Sequence, residues 1–167
     1  MSKLDLITHL YEYNEWANDH LIEVASDLSE EEISAARGAS FGSILDSFVH
    51  VVDAQAVWLK RWESGDAGGV RFLEDEDAID LAKVRFSFVR SHAGIRDYIG
   101  GLAAARLDEP LVYRDSKGEK SRPLWQLMLH VANHGTYHRG EIAMMLTVAG
   151  HSPGDLDFSF WEYTNHP

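Results

Sequence analysis

The sequence predicts an all-α protein, a four-helix bundle built as one domain over residues 1–167. Three observations predict it. Four long stretches repeat apolar residues at intervals of three and four, the period of an amphipathic helix. The segments between them are rich in Gly, Ser, Asp and Pro, which interrupt helices. The hydrophobic share is 45% over 167 residues, ordinary for a single globular domain with a sizeable core.

The first helix is expected from about Leu4 to Leu28, with Ile7, Leu10, Tyr11, Asn14, Ala17, Leu21, Val24 and Leu28 on one stripe. Asn14 interrupts that stripe, and a buried hydrogen bond is its plain reading. His9 and His20 fall off the stripe and are expected in solvent. Ser29-Glu30-Glu31-Glu32 has capping-box spacing and suits a short helical turn. Ser40 or Ser43 then caps a second long helix, which runs to about Trp62. Ile44, Leu45, Phe48, Val49, Val52, Ala56 and Leu59 make its apolar face, and His50 sits beside that face.

Residues 63–77 break the pattern with a Gly-rich loop and the acidic run Glu74-Asp75-Glu76-Asp77. That run suits a helix N-terminus, where the dipole favours negative charge, and it lacks the spacing of a calcium loop. A third helix follows from about Ala78 to Leu102, ended by Gly100-Gly101; His92 lies off its stripe and is expected at the surface. Residues 111–118 read as an extended segment and turn, a short hairpin before the last long helix. Pro123 suits the first turn of that helix, which runs to about Ala149 and stops at Gly150. The aromatic tail with Phe158, Phe160, Trp161 and Tyr163 is expected to pack on the domain or on a second copy.

The last long helix carries the chemistry. His130, His134 and His138 recur at intervals of four, which stacks side chains along one helical face. Leu127, Val131, His134, His138, Glu141 or Ile142, Met145 and Val148 fall on one stripe, so His134 and His138 should point into the bundle, with His130 at its edge. Two imidazoles one turn apart can grip one divalent cation. A third ligand must come from another helix, and His50 is the best candidate, on the inner part of a neighbour. Three neutral imidazoles leave positions open on the metal, the pattern of a catalytic site rather than a closed structural one. Zinc, nickel and iron(II) all accept such nitrogens. Arg139 suits an interhelical salt bridge, and Tyr137 suits packing.

Composition excludes several classes. A net charge of −12, from 27 acidic and 15 basic residues, repels a phosphate backbone and an anionic membrane surface. There is no cysteine, hence no disulfide and no thiolate of the chain's own. No segment approaches about 18 continuous apolar residues, and the first residues carry no signal-like run, so a cytoplasmic chain is the expectation.

The segment from His130 through Asn133, His134, Tyr137, His138 and Arg139 to Glu141-Ile142 resembles the signature helix of the DinB/YfiT-like family. Ser40-Phe41-Gly42-Ser43-Ile44-Leu45 through His50-Val51 and Trp58 resembles its second helix. Tyr11-Glu12-Tyr13-Asn14-Glu15-Trp16-Ala17-Asn18 resembles its opening, so the likeness spans nearly the whole chain. The resemblance implies an up-down-down-up bundle, often a homodimer, with a divalent metal on three histidines. Carried over by position, those are His50, His134 and His138; His130 matches a recurrent histidine that is not normally a ligand. Glu141 stands where the family commonly has glutamine; it could orient a ligand, act as a base or be solvated. The resemblance implies a metal-dependent enzyme that activates water or an external low-molecular-weight thiol against a small electrophile, as a hydrolase or thiol S-transferase. The other class is a non-catalytic, metal-stabilised dimeric module. The DNA-damage link in the family's name concerns gene induction, not DNA binding.

Overall fold

The computed structural model describes residues 1–67, 73 and 79–166. Helix α1 (Lys3–Ala25) starts at a reciprocal cap: the Ser2 hydroxyl accepts from the Asp5 amide, and the Asp5 carboxylate accepts from the Ser2 amide. The short α2 (Glu30–Ser34) starts at the capping box read from Ser29 and Glu32. Of the two serines expected to cap the next helix, Ser43 does so at the start of α3 (Ile44–Ser64). Helix α4 (Leu81–Gly100) is capped by Asp80; the acidic run 74–77 lies outside the described residues. The hairpin of β1 (Pro110–Asp115) and β2 (Gly118–Pro123) pairs Asp115 with Gly118 and hands the chain directly to α5 (Leu124–Val148). Helix α6 (Phe158–Asn165) closes the chain. No helix among the described residues is long and apolar enough to cross a membrane.

Each of the four long helices packs on two others, in the ring α1–α4–α3–α5. Two apolar clusters give their directions. One gathers Leu21 and Ala25 from the end of α1, Ile44 and Phe48 from the start of α3, Val84 and Phe88 from the start of α4, and Met145 and Leu146 from the end of α5. The other gathers Ile7 and Tyr11, Trp62, Ile95 and Ile99, and Leu124 and Met128. Thus α1 and α5 run one way and α3 and α4 the other, the up-down-down-up arrangement. Parallel neighbours need a return crossing, which explains why the α3–α4 connection exceeds a hairpin. Leu73, 2% exposed, packs in the cluster at the start of α4, on that return.

Polar side chains lie between the two apolar ends. Asn14, Asn18, Ser47, Gln55, Ser91, His92, His138 and Arg139 are all buried. The Arg139 guanidinium donates to Asn14 Oδ1 at 2.5 Å, Asn18 Oδ1 at 3.2 Å and Thr136 Oγ1 at 2.9 Å, and lies 5.4 Å over the Tyr13 ring. The expected hydrogen bond of Asn14 is therefore present. Among the described residues Arg139 makes no salt bridge; its partners are neutral oxygens and a ring face, and burial draws its pKa down from its ordinary value. Ser91 donates to Gln55 across α4 and α3 at 2.9 Å.

Several expectations need correction. His92 is 4% exposed, against the Phe88 ring and beside Asn18, rather than at the surface. His9 packs on Trp161, and His20 stacks on Trp16 and bonds the Pro153 carbonyl at 2.7 Å; both are half-buried. On α5, Val148 is 75% exposed, and Gly135 and Arg139 take core positions on the buried face instead. Tyr137 is exposed and only edges the His138 ring. The aromatic tail packs on its own domain, where Trp161 is buried against Tyr13.

Two outcomes follow for stability. Asn14→Ala leaves a buried guanidinium short of an acceptor and should cost about 1–3 kcal/mol, read as a lower urea midpoint at unchanged slope. The His92 imidazole is pushed to about 4 by burial, with Arg96 and Arg139 acting the same way against the pull of Glu15. Above its ordinary 6.5 the ring is neutral in both states. As pH falls from there toward about 4, the unfolded chain gains a proton that the folded chain excludes, so stability declines by on the order of 3 kcal/mol. His92→Gln should flatten that part of the profile in urea titrations.

Candidate metal centre

Helices α3 and α5 face each other at mid-length, and the sequence puts an imidazole on each inner edge there. His50 comes from α3; His134 and His138 come from successive turns of α5. The structure brings these three together: one ring nitrogen from each lies within 4.8 Å of the others, a group that could hold a metal ion. Ring centroids stand 5.0 Å apart for His50 and His134, 4.7 Å for His50 and His138, and 4.5 Å for His134 and His138.

The orientation of the nitrogens suits a shared cation. His50 Nε2 and His134 Nε2 are 3.1 Å apart. Neighbouring donors on one ion with bonds of about 2.0–2.1 Å lie about 3.0–3.4 Å apart. His138 Nδ1 is taken by Glu141 Oε2 at 2.8 Å, which leaves its Nε2 as the ligand-type atom. Glu141 is thus placed to orient His138, the position of carboxylates behind metal-bound histidines. Glu141 is itself held by Ser40, whose hydroxyl and amide both donate to Oε1. Burial works to raise the Glu141 carboxyl, but the hydrogen bonds from Ser40 and His138 outweigh it and hold the group below the usual carboxylate range.

Burial favours the neutral forms of His134 and His50. Burial, then the nearby His138, His50 and His130, push His134 down to about 4. Burial, then His138, push His50 down against the pull of Glu141. A neutral imidazole presents the lone pair that a cation needs.

The loop before α3 contributes two residues that the sequence reading placed elsewhere. Gly42, at φ 86°, allows a tight turn in which its amide donates to Ala39 and its carbonyl accepts from Arg37. This turn sets Ser40 on Glu141 and lays Phe41 on His50, with ring centroids 3.7 Å apart and planes at 18°. Ser40 is thus a support for the site rather than a helix cap. Loops carry no periodicity, so their only sequence signal was position next to the α3 cap. His130 stands outside the group of three; it is exposed and meets the Trp58 ring edge-on at 5.2 Å. Asp53, one helical turn from His50, is not in the group either. It lines a pocket of about 400 Å³ beside the histidines, with Phe41, Val49, Trp58 and His130. Trp58 is braced by Arg61, whose guanidinium lies 4.8 Å over its ring.

The role of Glu141 is checkable. Glu141→Ala should lower zinc affinity about 10–100-fold in a competition titration while the helical circular-dichroism signal is retained. Unchanged affinity would mean that the carboxylate does not support the centre.

Comparison with known proteins agrees with this architecture. The DinB family model matches residues 1–166. The chain is 29% identical over 164 residues to protein DinB of Bacillus subtilis (strain 168), covering 94% of each. It is similar in fold to the crystal structure of a DinB-like protein, YjoA, from Bacillus subtilis, with a TM-score of 0.66 at 16% identity, over 89% of this chain and 96% of that one. At that identity the likeness speaks to the fold alone. The family match, spanning all but the last residue, places the chain in the DinB family.

Proposed function

We propose that this DinB-family chain is a metal-dependent enzyme that activates water or an external low-molecular-weight thiol against a small electrophile, with His50, His134 and His138 as ligands. One observation supports the reading above the others. The three imidazoles converge without a fourth side-chain ligand among the described residues, beside a pocket of about 400 Å³ that His50 and His134 help to line. A structural site is normally closed by four protein ligands, and a pocket of this size fits a small organic molecule.

Zinc, nickel or iron(II) suits the nitrogen donor set. When bound, such an ion supplies a Lewis acid that lowers the pKa of a nucleophile placed on it. The chain's own residues supply the rest. Glu141 holds the His138 tautomer and ring plane, and Ser40 fixes Glu141. Phe41 stacks on one face of the His50 ring. Trp58 and Val49 give the pocket apolar walls that could seat the body of an electrophile. The chain has no cysteine, so a thiol nucleophile must come from outside.

The test is a metal-loaded panel. Protein loaded with zinc, nickel or iron(II) is assayed for transfer of cysteine-derived thiols and for hydrolysis of small electrophiles. His134→Ala should abolish tight metal binding and reduce turnover to background, with the bundle still folded. Chelation should likewise remove activity and leave the helical signal. No turnover with any loaded metal, together with collapse of the fold on chelation, would instead identify a structural staple.

A further inference from the structure

Helices α1 and α6, which supply no side chain to the His50, His134 and His138 group, meet across a second group of ligand-type side chains. One donor atom each from His9, Glu12 and His166 all lie within 4.8 Å of one another. Both nitrogens of His9 face carboxylates: Nδ1 is 3.3 Å from Glu12 Oε2, and Nε2 contacts Glu162 Oε1. The spacing is built into the two elements. His9 and Glu12 are one turn apart on α1, and Glu162 and His166 are one turn apart on α6 and its C-cap. Trp161 makes an apolar floor beneath them, its ring 4.8 Å from His9 and 4.9 Å from His166.

Charge at this junction is unbalanced. Among the described residues, neither Glu12 nor Glu162 has a lysine or arginine within ion-pair distance; each approaches His9 instead. The third group of this kind, Glu15, Asp19 and His92, differs in that Arg96 already pairs with Glu15. The junction also has a mechanical need. An α6 of eight residues is too short to be stable alone and depends on what ties it down. Its anchor is one buried side chain, Trp161 at 3% exposed.

We propose that His9, Glu12 and His166 form a second divalent-cation site that pins α6 to α1, with Glu162 held on His9 Nε2. Two imidazoles with one carboxylate select zinc over calcium, which takes oxygen donors. Donors around a tetrahedral zinc lie about 3.4 Å apart. The exposed Glu12 and His166 close the remaining gap by side-chain rotation.

The experiment removes the first centre so that the second is read alone. In a chain with His50, His134 and His138 all changed to Ala and stripped by chelator, zinc titration should give one ion per chain. Amide exchange in α6 should slow by about 10-fold or more at saturating zinc. Adding His9→Gln and His166→Gln should abolish both effects. The unmodified chain should bind two zinc ions, and His166→Gln in that background should lower the count to one; this arm stands even if the triple variant does not fold. No uptake in the triple variant when folded, uptake that survives the two Gln changes, exchange in α6 that ignores zinc, or a count unaffected by His166→Gln overturns the proposal. None of these outcomes depends on whether the first centre is catalytic.

Discussion

The way α1 grips α5 sets the geometry of everything around the candidate centre. At Gly135 a Cβ would meet Arg139 Nη1 at 2.8 Å and Asn14 Oδ1 at 2.9 Å, so only glycine leaves room for that hydrogen bond. Arg139 fills the gap, sharing its donors among Asn14, Asn18 and Thr136. A buried guanidinium without acceptors would be costly, so rotation of α5 about its axis is resisted by hydrogen bonds as well as by packing. With α5 held in this way, His134 and His138 face α3 and meet His50.

A neighbouring face of α5 is held by a chain of polar contacts. Ser40 donates to Glu141, Glu141 accepts from His138, and His138 presents its other nitrogen to the group. This chain reaches from a loop through a carboxylate to a ring, so the loop before α3 and the end of α5 are coupled through the site. Burial disfavours the imidazolium forms of His50 and His134, which lessens competition from protons for any cation placed there. The same physics makes the cluster costly to assemble without a shared partner, because neutral rings with nitrogens directed at one another can satisfy few hydrogen bonds.

Much of this was legible in the residues. The four helical stripes, the capping box at Ser29, a cap at Ser40 or Ser43, the hairpin before α5 and the stop at Gly150 are local signals, and each acts within a few residues. The pairing of His134 with His138 was legible for the same reason, since a spacing of four is one turn of a helix. His50 could be named because it borders an apolar face expected to pack on α5. Less legible were the polar residues of the interior. His92 lies off the apolar stripe, so hydropathy assigns it to solvent, and the charge of Arg139 suggests a salt bridge; packing buries both, with Asn18 bonding to each.

By itself, then, the chain determined which segments are helical, where they start and stop, and which faces seek a core, because backbone periodicity and capping are short-range. Tertiary structure alone decided that Ser40 supports Glu141, that Phe41 lies on His50 and that His9 lies under α6. Those contacts join side chains from separate elements. Their partners are chosen by the packing of whole helices against one another, which no local pattern of residues encodes.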